Sequence, residues 1–477
     1  MSKNTKAKKS GKSIGIIIAA VLCAIIVIAL AVFNNLNGSG WALRNKVAAK
    51  SDNFKVTGSM YAYYLGSTYQ NFYQYLSYLG ADPNKSMKTQ DCPMIDGTWF
   101  DYFVQTTDSN VRQMLASCEY AKANGLSLDA EDKAIIQENI DALNEYAKKS
   151  GVSVNQYLNA VFGNGVQEAD VKKAMEISLL STKGSNKMVT SEEITLEKEQ
   201  AYCNANPDEF LGVDYYSYSV PLAATTENED EADIGESLGI ALGLKNATDG
   251  KAFMELVQKY LESKGDDIDA GTVANTVNNT YHRHALKESV SNEEVQNFLF
   301  EEGAEGTTYV VTDTEKATQT VYLLEKKAYV DETVDRAVRH ILFSTDDYED
   351  DAKAQEVYAE LKAADFSEDK WNELAAEYSS DDGSNTNGGL YKAIQYGQTV
   401  TAFNDWLFDD ARKAGDTDIV ESTYGWHIMQ YVGEADTQAW MKVAEEGIKN
   451  DLYAKYVEEY GKSVTSDSKV VDSISVN

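Results

Sequence analysis

Residues 338–343 read VRHILF and residues 422–428 read STYGWHI. In the first stretch Val338, His340 and Leu342 alternate with Arg339 and Ile341, the period-two pattern of a strand with one apolar face. The second stretch closes the same region with a strand through Trp426, His427 and Ile428. Two strands therefore each deliver one histidine. Between them, Ala354, Val357, Tyr358 and Leu361, then Trp371, Leu374, Ala375 and Tyr378, fall at helical spacing. The loop Ser379–Gly389 carries acids, Ser, Asn and three Gly, as expected where the backbone takes unusual angles. Gly397, Gln398 and a short helix through Phe403 and Phe408 complete the region.

Working outward, the same order recurs upstream, between Phe210 and Lys327. A strand through Val213–Val220 is followed by an acidic stretch at 227–233 and a helix containing Phe253–Tyr260. An irregular middle leads to Phe298, Leu299 and Phe300, a turn at Gly303 and Gly306, and a closing strand Thr320–Leu324. Two copies of one domain are read here, the first degenerate. Tyr216 or Ser217 then falls near the position of His340, and Tyr322 or Leu323 near that of His427. His282 and His284 are expected in a surface loop of the irregular middle, and the first copy is expected to be inactive.

At 477 residues the chain is long enough for about three domains. Lys3, Lys6, Lys8, Lys9 and Lys12 precede a run from Ile14 to Phe33 without charge. That run is about 20 residues long, enough to cross a bilayer as a helix, and the basic cluster before it keeps the N-terminus in the cytosol. Residues 1–13 read as a cytosolic tail and 14–33 as a single-pass anchor, placing the bulk of the chain outside the membrane. Ala29, Leu30 and Ala31 form an A-x-A pattern, so cleavage after Ala31 is the competing reading. A net charge of −33 excludes nucleic acid as a partner, because such binding is supplied mainly by Lys and Arg on phosphates.

Residues 40–209 read as a mostly helical module. It opens with a strand at Phe54–Thr57 and an aromatic helix from Met60 to Tyr78. Further helices run through Val111, Met114, Leu115 and Cys118, through Ile135, Ile136, Ile140 and Leu143, and through Val171, Met175 and Leu179, with a turn at 163–165. Asn124 and Gly125 give a helix stop. Cys92, Cys118 and Cys203 exclude a dense disulfide framework and any CxxC motif, and leave one disulfide among the three open. Residues 434–477 read as a helix through Trp440, Val443, Ile448 and Tyr453 that folds back on the helical module, and a tail.

Taken together, RHILF at 339–343, LAAEYSSD at 374–381, NGG at 387–389, GQTVTAF at 397–403 and STYGWHIM at 422–429 resemble the successive signatures of the parvulin (PpiC) family of peptidyl-prolyl isomerases. Five such strings in the right order are far more specific than any one alone. The resemblance implies an α+β fold, a four-stranded antiparallel sheet wrapped by helices over residues 334–433, with a degenerate copy at 210–330. The anchored helical module resembles that of PrsA- and SurA-type folding factors.

By the same resemblance His340 and His427 are the paired histidines at the floor of the site. Asp381 takes the position held by Cys or Asp, and Ser422 supports the pair with its hydroxyl. Phe403 walls the proline pocket, with Tyr391, Thr399 and Phe408 also on the substrate side. No cofactor and no metal is implied. The implied activity is cis/trans isomerisation of X-Pro bonds in exported proteins; the alternative is an inactive holdase in which the histidines are satisfied core residues. Unfolded or newly exported chains are the expected partners, and a homodimer is left open. The sequence departs from the family pattern at Thr399, where a Met is usual, at Leu390 and Tyr391, and at Thr401, where a Pro is usual.

Overall fold

The computed structural model describes residues 40–163, 165–222, 231–265 and 268–475. The readings of residues 1–33, of Asn164 and of the acidic residues 227–230 lie outside them. Among the described residues no helix is long and apolar enough to cross a membrane. The chain divides into two compact units, one of residues up to 193 together with 449 onward, the other of residues 194–448.

In the first unit, helices Gly58–Tyr73, Trp99–Ala123, Ala130–Lys149, Val154–Phe162 and Glu168–Val189 pack around Tyr61, Leu65, Trp99, Phe103, Leu115 and Ile140. Three of them start with reciprocal caps, Thr98 with Asp101, Asp129 with Asp132 and Ser153 with Gln156, each satisfying backbone N–H groups that a first turn leaves bare. The aromatic helix expected to reach Tyr78 stops at Tyr73 and gives way to turns closed by Gly80 at φ +85°. Tyr75 and Tyr78 are exposed there, so no packing gain holds them in the helix. Gly184 lets helix Glu168–Val189 lie against Ser117, since a Cβ would stand 2.1 Å from the Ser117 carbonyl oxygen.

Strands β1 (Val47–Lys50) and β2 (Lys55–Thr57) are joined by the late strand Thr465–Ser466, which pairs with β1. Residues 449–461 of helix Ala439–Gly461 also belong to this unit, where Tyr456 and Tyr460 pack on Tyr120. Cys92, Cys118 and Cys203 are free thiols, so the disulfide left open does not form among them.

The second unit holds two four-stranded antiparallel sheets. One contains β3 (Leu211–Pro221), β4 (Tyr281–Leu286), β5 (Thr307–Asp313) and β6 (Thr318–Val330) in the order β4-β3-β6-β5. The other contains β7 (Val334–Ser344), β8 (Leu390–Ile394), β9 (Thr417–Ser422) and β10 (Gly425–Gln438) in the order β8-β7-β10-β9. Both orders place the second strand, the first, the fourth and the third side by side. A shared order of this kind supports the reading of an internal repeat.

Register aligns the copies residue by residue. Ser217 N donates to Thr280 O at 2.8 Å, as His340 N donates to Gly389 O at 2.9 Å. Ser217 faces Tyr322 across the sheet as His340 faces Met429, and Ser219 faces Thr320 as Leu342 faces His427. The counterpart of His427 is therefore Thr320, and not Tyr322 or Leu323 as expected. A shift of a residue or two along a strand has no local signature, so sequence spacing alone did not fix it.

His282 and His284 are likewise not in a loop. Both lie in β4, where pairing with β3 overrides the irregular flanks. His282 stacks on Tyr215 at 4.4 Å and bonds Ser217 Oγ at 2.8 Å; the ring Nε2 of His284 lies 2.9 Å from Tyr329 O. Next to them Arg283 donates to both carboxylate oxygens of Asp331, at 2.6 and 2.8 Å, and stacks over Tyr396, tying the first sheet to the second copy.

In the second copy one sheet face carries Ile341, Phe343 and Ile428 against Val357, Leu361, Trp371 and Leu374 of the helices Ala352–Ala363 and Glu368–Tyr378. The opposite face carries Val338, Met429 and Tyr431 against Phe403, Trp406 and Leu407 of helix Thr401–Leu407. Gly389, at φ +72°, passes so close to β7 that a Cβ would lie 2.0 Å from the His340 carbonyl oxygen. Gly389→Ala is therefore expected to lower stability by about 2 kcal/mol or more and to loosen β8 from β7. Urea unfolding of the variant checks this; a midpoint unchanged from wild type contradicts it.

Candidate active site

The pairing of β7 with β10 brings the two histidines together. His340 Nδ1 and His427 Nδ1 stand 3.4 Å apart, with ring centroids at 5.6 Å and planes 26° from parallel. His340 is 6% exposed and His427 5%, so each ring nitrogen needs a partner inside the protein. They have them. His340 Nε2 lies 2.9 Å from Asp381 Oδ2, and His427 Nε2 lies 2.7 Å from Ser422 Oγ.

The carboxylate anchors one end of this row. Asp381 is held well below the usual carboxylate range, first by the bond from His340, then by Ser384, against the opposing effect of burial. An ionised carboxylate only accepts, so His340 donates to it from Nε2. The two Nδ1 atoms face each other, and His427 Nε2 faces the Ser422 hydroxyl. Ser422 Oγ in turn accepts from Tyr424 N at 3.1 Å. Ser422 Oγ also lies 3.3 Å from the Gly425 carbonyl oxygen.

Two further hydroxyls serve the carboxylate. Tyr391 donates to Asp381 Oδ2 at 3.0 Å, and Ser384, fully buried, donates to the same oxygen. Gly383 N donates to Oδ1 at 3.1 Å. Burial, followed by the charge of Asp381, pushes the Tyr391 phenol up, so it stays a donor. Ser384 was absent from the sequence reading. Its available signal was the Asp-x-x-Ser spacing in a Gly-flanked turn, where a side chain three residues on returns to the carboxylate.

Phe403 meets both imidazoles edge-on, at 5.3 and 5.4 Å and 86° to each plane. Tyr391 lies at 5.6 Å from His340 alone, so it is not interposed between Phe403 and the pair. Thr399 has a buried hydroxyl with no hydrogen-bond partner among the described residues. The ring contacts of Phe408 are to Tyr396 and Arg336, not to the imidazoles. Of the eight residues singled out by sequence, His340, His427, Asp381, Ser422, Phe403 and Tyr391 form one connected group. No group of three or more His, Cys, Asp or Glu among the described residues is arranged to hold a metal ion.

Burial, reinforced by the neighbouring His340, pulls the His427 pKa down to about 4 from 6.5. Between those values the unfolded chain binds a proton that the folded chain refuses. The stabilisation is therefore complete above about pH 6.5 and is lost as pH falls toward 4, by on the order of 3 kcal/mol. A ring titration of His427 by NMR checks this directly; a midpoint near 6.5 contradicts it.

Residues 319–435 match the model of the family described as the PPIC-type PPIASE domain, a stretch that holds both histidines of the pair. The foldase protein PrsA 1 of Listeria monocytogenes serotype 4b is 28% identical over 201 residues, 42% of this chain and 58% of that protein. The chaperone SurA of Hahella chejuensis is 22% identical over 317 residues, 66% of this chain and 70% of that protein. Among solved structures, PrsA of Bacillus anthracis aligns with 51% of this chain and 98% of that one, at 18% identity and a TM-score of 0.21. The chain spans a little over half the length of the PrsA relatives it matches.

Proposed function

With a domain of the PPIC-type PPIASE family at residues 319–435, this chain, we propose, is a protein-folding factor that catalyses cis/trans isomerisation of X-Pro bonds in exported polypeptides. The observation that carries the reading is the row Ser422, His427, His340, Asp381 beneath Phe403. The similarity to proteins called foldase and chaperone supports the client class, unfolded chains. The lysine-rich residues 1–13 and the uncharged run 14–33 support a membrane tether with the remainder outside.

The reaction makes and breaks no bond. Rotation about the X-Pro amide meets a barrier of about 18–20 kcal/mol because the C–N bond has partial double-bond character. In the twisted transition state that conjugation is lost, and with it much of the charge separation of the planar amide. A site nearly closed to water therefore favours the twisted form over the planar one, which is differential binding of the transition state. Phe403 offers the apolar wall for the pyrrolidine ring. Asp381 acts through His340, holding the ring in place by its Nε2.

A second reading, a holdase without turnover, draws on the departures at Tyr391, Thr399 and Thr401. Phe403 and both imidazoles are almost wholly covered, and Tyr391 is fastened to Asp381. Tyr391→Phe removes that tie and is expected to lower KM for a proline peptide by about fivefold, the worth of one net hydrogen bond.

A protease-coupled proline-peptide assay on the full chain separates the two readings. His427→Ala and Asp381→Ala are each expected to reduce kcat/KM by about 100-fold. A wild-type chain that suppresses aggregation of an unfolded client yet shows no turnover supports the holdase and removes the isomerase.

A further inference from the structure

An open sheet edge presents a row of unpaired backbone N–H and C=O groups, and folded proteins blunt such edges with bulges, charges, proline or shortness. In the second unit the edges are β4, β5, β8 and β9. β4 is bulged against β3 and carries Arg283. β8 has five residues, a bulge against β7 and the exposed Lys392. β9 points Asp418 and Glu421 into solvent. In the first unit the outer strands β2 and Thr465–Ser466 have three and two residues. β5 has none of these devices before its last residue, Asp313. Its seven residues pair with β6 in unbroken register, and Thr307–Thr312, TTYVVT, contains no charge, no proline and no glycine in a chain of net charge −33. Such a window is the composition that most readily accepts another strand.

We propose that the outer edge of β5 binds an extended segment of another polypeptide by taking it up as an additional strand. The site lies apart from the histidine pair and is independent of turnover there. The flanks of β5 define its partner. Glu301, Glu302 and Glu305 precede it, Asp313 ends it and Glu315 follows. Lys287 offsets Glu301 at 2.9 Å and Lys316 offsets Asp313 at 3.4 Å, which leaves an acidic excess at both ends. A segment with an uncharged β-branched core and Lys or Arg at its ends complements that edge in backbone and in charge. A second copy of this chain does not. Antiparallel β5–β5 pairing sets the Glu305 end of one copy against the Asp313–Glu315 end of the other, like charge on like charge.

The test uses the full chain with two peptides of identical Thr/Val core, one flanked by lysines and one by glutamates, read by hydrogen exchange and by titration. The lysine-flanked peptide is expected to slow amide exchange within 307–313 and to bind about tenfold more tightly than the glutamate-flanked one. The double variant Thr307→Lys with Thr312→Lys, both exposed positions outside the histidine site, is expected to abolish that preference and leave isomerase turnover unchanged. Absence of binding, or binding with no protection at 307–313, overturns the proposal. Protection at 307–313 that rises with protein concentration in the absence of peptide assigns the edge to a second copy and overturns it equally.

Discussion

The antiparallel pairing of β7 with β10 is the constraint on which the site depends. It brings His340 and His427, separated by 87 positions in sequence, into contact in a nearly dry interior. Once there, neither ring has water to fall back on, and the hydrogen-bond requirement runs outward from the pair to Asp381 on one side and Ser422 on the other. The loop that carries Asp381 is held in turn by Gly389, whose backbone runs too close to β7 for any side chain. Register and loop conformation are thus one problem with one solution, and an error in either leaves a buried nitrogen or oxygen without a partner.

Much of this was legible because short-range chemistry wrote it. Helix stops such as Asn124–Gly125, the alternation in Val213–Val220 and 338–343, and the glycine pair 388–389 each follow from the conformational preferences of a few neighbouring residues. Within the site, the five quoted strings picked out residues that the fold then gathers. What stayed hidden was settled by distant partners. Ser384 matters only once Asp381 has turned back toward it, and His282 and His284 became strand residues only when β4 docked on β3. Thr320, rather than Tyr322, became the counterpart of His427 through a register that no local pattern encodes.

The two sheets of the second unit show how one strand order accommodates different interiors. Where the second copy sets an imidazole on its first strand and a phenol on its second, the first copy has Ser217 on the first and His282 on the second, in mutual contact. Ser219 and Thr320 bond each other at 2.7 Å in the place where Leu342 lies opposite His427. Hydroxyls there satisfy one another locally, with no carboxylate to orient them. The row that Asp381 anchors in the second copy has no counterpart among the described residues, although the backbone beneath it is arranged alike.

The strand Thr465–Ser466 carries a consequence for how the molecule is made. Val464, Val470, Val471 and Ile474 share a core with Leu43, Ala49 and Val56, so the earliest and latest described parts of the chain complete each other. During synthesis the second unit, whose contacts all lie within one continuous stretch, is ready to collapse first, while the helical unit waits with an unfilled groove until residue 474 has left the ribosome. The helical unit thus passes through a long immature stage, with apolar surface open along the flank that residues 464–474 seal.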